Sequence, residues 1–146
     1  MATVREIIDQ KKSNVISVAP NDKVELVLEL MRDHRIRSVL VANGTDLVGI
    51  VSQGDCAIKV LLPNLSPKEV LVSQIMTSNP LTVLKEHTLE ECMAIMDHKH
   101  IRHLPVLENK QLIGIISIGD IVKNIIESQG KQIEFLESYI TGVRMS

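Results

Sequence analysis

The chain has 146 residues, 45% of them hydrophobic, with one Phe, one Tyr, no Trp and a net charge of −2. That length suits one domain or two small intertwined ones, and the apolar content excludes wholesale disorder while requiring an aliphatic core. The charges alternate in sign along the chain, so no field is expected that would draw nucleic acid or an anionic membrane surface.

The first apolar segment, residues 4–8, lacks the form of a secretory leader. No apolar run approaches membrane-spanning length, so a soluble, cytoplasmic protein is expected. A short strand is predicted at 16–18 and a turn at Pro20-Asn21-Asp22. Val24, Val27, Leu28 and Met31 then fall at helical spacing, with Asp22-x-x-Glu25 as a weak capping box. Strands at 38–42 and 47–52 flank Asn43-Gly44-Thr45-Asp46, a hairpin signal. A second helix starts near Asp55. Residues 61–70, with Pro63 and Pro67, read as a linker.

The same order then returns. An apolar segment at 72–76 resembles 4–8. A strand is predicted at 81–83, a turn at Lys85-Glu86-His87, and a helix on Leu89, Cys92, Met93 and Met96, with Thr88-x-x-Glu91 as its capping box. Strands at 103–107 and 112–117 follow, then a helix from Asp120 that carries Ile121, Val122, Ile125 and Ile126. Beyond Gly130, Ile133, Leu136 and Ile140 share one helical face, with Phe135 and Tyr139 in the same tail. The tail suits either the chain's own core or an oligomer or partner contact.

This recurrence is an internal duplication. Gly49-Ile-Val-Ser-Gln-Gly-Asp55 returns 65 residues on as Gly114-Ile-Ile-Ser-Ile-Gly-Asp120. Without a gap, residues 14–60 match 79–125 at 13 of 47 positions, where chance gives roughly 3. Each copy is a β-α-β-β-α unit, too small to stand alone and able to close a shared core with its twin. The fold expected is α+β, two such repeats packed as a pair. The first spans 1–65 with its N-terminal segment and linker, the second 66–128, and the helical tail 129–146. Cys56 and Cys92 lie in apolar stretches and read as buried free thiols. The methionines Met31, Met76, Met93 and Met96 read as core filling.

Ser52-x-x-Asp55 and Ser117-x-x-Asp120 are helix-capping signatures. Capping alone leaves the matched Gly49/Gly114 and Gly54/Gly119 without a reason, and glycines there let a ligand approach the backbone. A carboxylate repels phosphate but accepts both hydroxyls of a ribose, so Asp55 and Asp120 suit a diol. Arg37 and Arg102 recur just before a central strand, with Arg35 and His103 nearby, and suit the phosphate. No aromatic residue in either repeat can stack a base, which leaves Ile16, Ile36, Leu81 and Ile101 to hold an adenine. His98, His100 and His103 lack a ligand set of zinc-type spacing and His98 and His100 read better as cations at a helix end, while His103 neighbours the expected phosphate site and is placed to titrate there. No Walker loop or G-x-G-x-x-G fingerprint is present, and neither serine has a triad pattern.

The β-α-β-β-α unit, the G-h-x-S-x-x-D phrase and the Ile101-Arg-His-Leu-Pro-Val106 run resemble the CBS domain, named for cystathionine β-synthase. The resemblance covers about residues 4–127 as a tandem pair. It implies a pseudo-twofold module with two clefts that bind adenosine ligands: AMP, ADP, ATP, NAD or S-adenosylmethionine. It implies one pocket from Ser117 and Asp120 with Ile16, Ile36, Arg37 and Ser38. It implies another from Ser52 and Asp55 with Leu81, Ile101, Arg102 and His103. Copy one departs from the pattern at Leu40, where copy two has Pro105. The resemblance further implies a face-to-face homodimer acting on an unidentified regulated protein, with no catalytic cofactor and no enzymatic activity. The alternative is a structural or partner-binding dimeric module with no physiological nucleotide.

Overall fold

The structure, a computed structural model, describes residues 2–11 and 15–141, with side chains as far as residue 130. Its elements in chain order are α1 (Val4–Gln10), β1 (Ser17–Val18), α2 (Val24–His34), β2 (Ser38–Asn43), β3 (Asp46–Ser52) and α3 (Gln53–Cys56). A π-helical turn, Ala57–Leu61, extends α3. The second half follows as α4 (Val72–Ile75), β4 (Thr77–Ser78), β5 (Val83–Leu84), α5 (Leu89–Lys99), β6 (His103–Glu108), β7 (Gln111–Ser117) and α6 (Ile118–Thr141). The fold is α+β, with two small sheets ordered β1-β2-β3-β4 and β5-β6-β7.

The duplication reaches into the irregularities. In each half a parallel pair (β1 with β2, β5 with β6) adjoins an antiparallel hairpin. Each hairpin has a register shift at the same place, Val41/Ala42 and Val106/Leu107. The hairpins turn with little distortion because Gly44 supplies a positive φ in one, and Asn109 and Lys110 supply it in the other. Thr88 and Glu91 form the expected capping box. Asp22 does not: its carboxylate accepts the Ala19 N–H at 2.8 Å, closing the preceding turn, and Lys23 stands at the N-cap of α2 without a side-chain bond. On α2 and α5 the buried positions are Val24, Val27, Met31 and Leu89, Cys92, Met96. Leu28 and Met93, expected on the same apolar faces, are 37% and 36% exposed. They occupy equivalent positions just off the buried stripe, and Met93 does not fill the core.

Chain order and packing part company at the two short helices. Val4 and Ile7 of α1, at the start of the chain, pack with Val83, Leu89, Leu104 and Ile116 in the second half. Val72 and Ile75 of α4 pack with Val18, Val27, Val41 and Val51 in the first half. Backbone bonds fix the exchange: Val4 N–H donates to His87 O at 2.9 Å, and Val72 N–H to Asp22 O at 2.8 Å. Each core is therefore completed by a segment that precedes the other repeat.

These exchanged segments also account for one of the two matched glycine pairs. A Cβ on Gly49 would lie 2.6 Å from Met76 Sδ and 3.0 Å from the Thr77 carbonyl, and one on Gly114 would lie 2.7 Å from Ile8 Cδ1. The glycines of β3 and β7 admit the segments, and Gly114 also borders cleft 1. Gly54 and Gly119 differ: a Cβ there would meet only a serine Oγ at 3.6 Å. Gly49→Ala is expected to destabilise the fold by about 1–3 kcal/mol through overpacking against backbone that cannot yield. Gly119→Ala is expected to stabilise it by about 0.5–1 kcal/mol, as alanine does in a helix. Thermal melts of the two variants check this, and an unperturbed Gly49→Ala would show that Met76 and Thr77 do yield.

α6 runs through Gly130 without a break to Thr141. The side chains of Ile133, Phe135, Leu136, Tyr139 and Ile140 lie outside the described residues, and with them the role expected of the tail. Cys56 and Cys92 are free and buried, and burial pushes both thiols up, Cys92 to about 11. Among the described residues no helix is long and apolar enough to cross a membrane.

Candidate functional site: two clefts between the repeats

Two clefts lie where the halves meet. Cleft 1, about 550 Å³, brings Ile16, Ile36, Arg37 and Ser38 of the first half to Ser117 and Asp120 of the second. Cleft 2, about 500 Å³, brings Ser52 and Asp55 to Leu81, Ile101, Arg102 and His103. Both volumes fall in the range that encloses a nucleotide-sized ligand. All twelve residues singled out in the sequence line these clefts, eight of them one cleft each and four of them both.

Each carboxylate is held at the start of a helix. Asp55 Oδ2 accepts Ser52 N–H at 2.9 Å, while Asp55 N–H donates to Ser52 Oγ at 3.1 Å. Asp120 and Ser117 repeat the exchange at 2.8 and 3.0 Å. Capping and ligand binding are thus compatible uses of one residue: the cap fixes the carboxylate and leaves acceptor capacity over. Gly54 and Gly119 sit beside them with no Cβ to obstruct the cleft.

The carboxylates have different cations. Asp55 Oδ1 pairs with Lys59 one helical turn on, at 3.1 Å, and Lys59 also donates to the Ile75 carbonyl at 2.9 Å. Asp120 Oδ2 pairs with Lys11 at 2.8 Å, and Lys11 donates to the Ile115 carbonyl at 2.9 Å. Among the described residues Asp120 Oδ1 accepts no hydrogen bond. Lys11 comes from the segment after α1 and lines cleft 1. It was not legible from the duplication because no lysine stands at the corresponding place in the second half.

Arg37, Ser38, Arg102 and His103 line both clefts. They start the two central strands, and the Arg37 and Arg102 carbonyls accept the first helical N–H groups, Gln53 at 3.0 Å and Ile118 at 2.9 Å. Each strand start is thereby fixed to the helix start that carries its half's aspartate. Ser38 and His103, equivalent residues of the duplication, meet at 2.9 Å, Oγ to Nδ1. The approximate twofold axis passes between them. Burial pushes the His103 imidazole below its ordinary range, opposed by Asp120 and reinforced by Lys11, Arg37 and Arg102. Neutral His103 can either accept from the Ser38 hydroxyl or donate to it.

Chemically, each cleft offers a carboxylate for a diol, arginines for an anion and aliphatic walls for a flat apolar group. Among the described residues nucleophilic chemistry has no such preparation. The Ser52 and Ser117 hydroxyls are engaged as caps, and among the described residues no carboxylate hydrogen-bonds the His103 ring to orient it as a base. Among the described residues no three His, Cys, Asp or Glu side chains gather as a metal site. His98 stands in the last turn of α5, and His100 caps its end with a left-handed backbone.

The sequence profile of the CBS domain matches residues 4–61 and 72–127. A CBS-domain protein from Burkholderia ambifaria has a solved structure that is 40% identical, with a TM-score of 0.83 over 88% of this chain and 96% of that one. The mitochondrial CBS-domain-containing protein CBSX3 of Arabidopsis thaliana is 30% identical over 84% of this chain and 62% of its own length. The chain thus spans less than two thirds of that relative. CBSX2, solved in complex with AMP, is 26% identical, with a TM-score of 0.73 over 88% of this chain and 99% of that one.

Proposed function

The chain belongs to the CBS-domain family as a tandem pair of repeats, and from that premise we propose that it is a regulatory module that binds an adenosine nucleotide, AMP- or NAD-like, in the clefts between them. The observation that carries this reading is the composition of the clefts. In each, the S-x-x-D helix start of one repeat faces the aliphatic and arginine-bearing strand start of the other. Ribose would lie on Asp55 or Asp120, phosphate on Arg37 and Arg102. Adenine would lie between Ile16 and Ile36, or between Leu81 and Ile101. The AMP complex of CBSX2 supports the choice of ligand class. The nucleotide is held and sensed, not turned over.

The same reading includes a homodimer in the cytoplasm that acts on a separate regulated protein. Leu61 after α3 and Ile126 on α6 are exposed at corresponding places in the two halves, with Ile58 and Leu62 exposed near the first and Val122 near the second. Such a doubled apolar surface fits a second copy of the chain. Ligand would act by binding two states of the dimer with different affinity.

Calorimetric titration with AMP, ADP, ATP, NAD and S-adenosylmethionine tests the proposal. Binding with thermal stabilisation by at least one of them is expected. Absence of heat and of any shift in melting temperature for all five would leave the module as a structural or partner-binding dimer with no physiological nucleotide. Sedimentation equilibrium tests the dimer, and a monomer at tens of micromolar would remove that part of the reading.

A further inference from the structure

The two clefts share one plan but not one charge. Lys11, Arg35, Arg37 and Arg102 line cleft 1 against one carboxylate, Asp120. Cleft 2 has Arg37 and Arg102 in common with it and sets them against Asp55. Where cleft 1 has Arg35, cleft 2 has His100 at the equivalent position. Where cleft 1 has Lys11, cleft 2 has Asn79, at the same remove from the start of its short helix. Lys59, the partner of Asp55, does not line cleft 2.

Lys11 is anchored at 2.8 Å to Asp120 and 2.9 Å to the Ile115 carbonyl. Arg35 and His100 each end a helix in the left-handed region, at φ 54° and 56°. That conformation is a common way for a helix to end. Both of these side chains border a cleft.

Resting on the nucleotide reading above, we propose that the clefts divide nucleotides by phosphate number: cleft 1 takes the nucleoside di- or triphosphate, and cleft 2 the monophosphate. Arg37 and Arg102 serve the first phosphate in either cleft. The further phosphates carry added negative charge that only cleft 1 can meet, through Lys11 and Arg35. Lys11 can turn from Asp120 to a phosphate without uncovering an unpaired carboxylate, because the arriving ribose hydroxyls take its place. Oδ1 of Asp120 is open to the first of them.

The test is titration of the full chain with AMP and with ATP in EDTA, followed by ¹³C methyl NMR. Ile113 and Ile115 report cleft 1, and Ile50 and Ile101 report cleft 2. The expected result is that ATP exceeds AMP at cleft 1 by at least about 10-fold, the value of one charge-assisted contact, and that cleft 2 shows the reverse order or none. The double variant K11N/R35H, which gives cleft 1 the complement of its twin, is expected to abolish the ATP preference at Ile113 and Ile115. Its melting temperature shows whether it is folded. Equal affinity for AMP and ATP at cleft 1, or a preference that survives in the variant, overturns the division while leaving nucleotide binding intact. Binding of neither nucleotide at either cleft overturns both.

Discussion

Replacing Asp120 with alanine is expected to weaken nucleotide binding at cleft 1 by about 30- to 150-fold. That is the loss of about 2–3 kcal/mol that follows when charge-assisted bonds to a ribose are removed. The same carboxylate also accepts Ser117 N–H and pairs with Lys11. Its removal therefore has a second consequence: the cap costs about 1 kcal/mol of stability, visible as a lower melting temperature without ligand. The two effects separate cleanly, because affinity is measured at 25 °C on folded protein. Lys11, freed from its carboxylate, can turn to the phosphate, which places the loss toward the lower end of the range. Asp55 has a different lysine, anchored to the Ile75 carbonyl and away from cleft 2, so Asp55→Ala lacks that compensation at its own cleft. Calorimetry on both variants checks the prediction. Dissociation constants within threefold of the parent for both would show that the carboxylates only cap helices.

What the sequence revealed, it revealed by saying it twice. Ser52 and Ser117, Asp55 and Asp120, Arg37 and Arg102 stand in register 65 residues apart, and that doubling separated them from ordinary caps and surface charges. The hairpins were legible for a local reason, since turn residues between alternating apolar stretches leave few other conformations. Features that occur once, or whose meaning is long-range, were not legible. Lys11 has no counterpart. Asp22 sits at a capping position, yet the preceding turn competes for its carboxylate, and the two uses are indistinguishable in spacing. Gly49 and Gly114 recur as faithfully as Gly54 and Gly119, so recurrence alone could not say which pair admits a packing segment. The destination of α1 is the largest such gap. A seven-residue helix that buries Val4 and Ile7 suits either aliphatic core, and only the tertiary fold decides between them.

That destination carries the second large effect. Ile7→Ala is expected to cost about 2–5 kcal/mol, as truncation of a buried isoleucine does when its surroundings close only partly over the cavity. Against a typical domain stability of 5–15 kcal/mol, this is a substantial share. The damage should fall on the second half, although Ile7 precedes the first. Ile7 packs in the core of Leu89, Leu104 and Ile116, and the backbone around it is tied to Lys85, His87 and Leu89. Hydrogen exchange reads the location directly, because local opening lowers protection in the unit that loses its contacts. Amides of β6 and β7 should exchange faster in Ile7→Ala while those of β2 and β3 keep their protection. Ile75→Ala should give the mirror image. Faster exchange confined to β2 and β3 in Ile7→Ala would contradict the exchanged packing. The consequence for the clefts is unequal: α1 leads into Lys11, so loosening it withdraws a cation from cleft 1, whereas α4 leads into Asn79, which brings cleft 2 no charge to lose. A stability defect in the first ten residues should therefore appear as a selective loss of affinity at cleft 1.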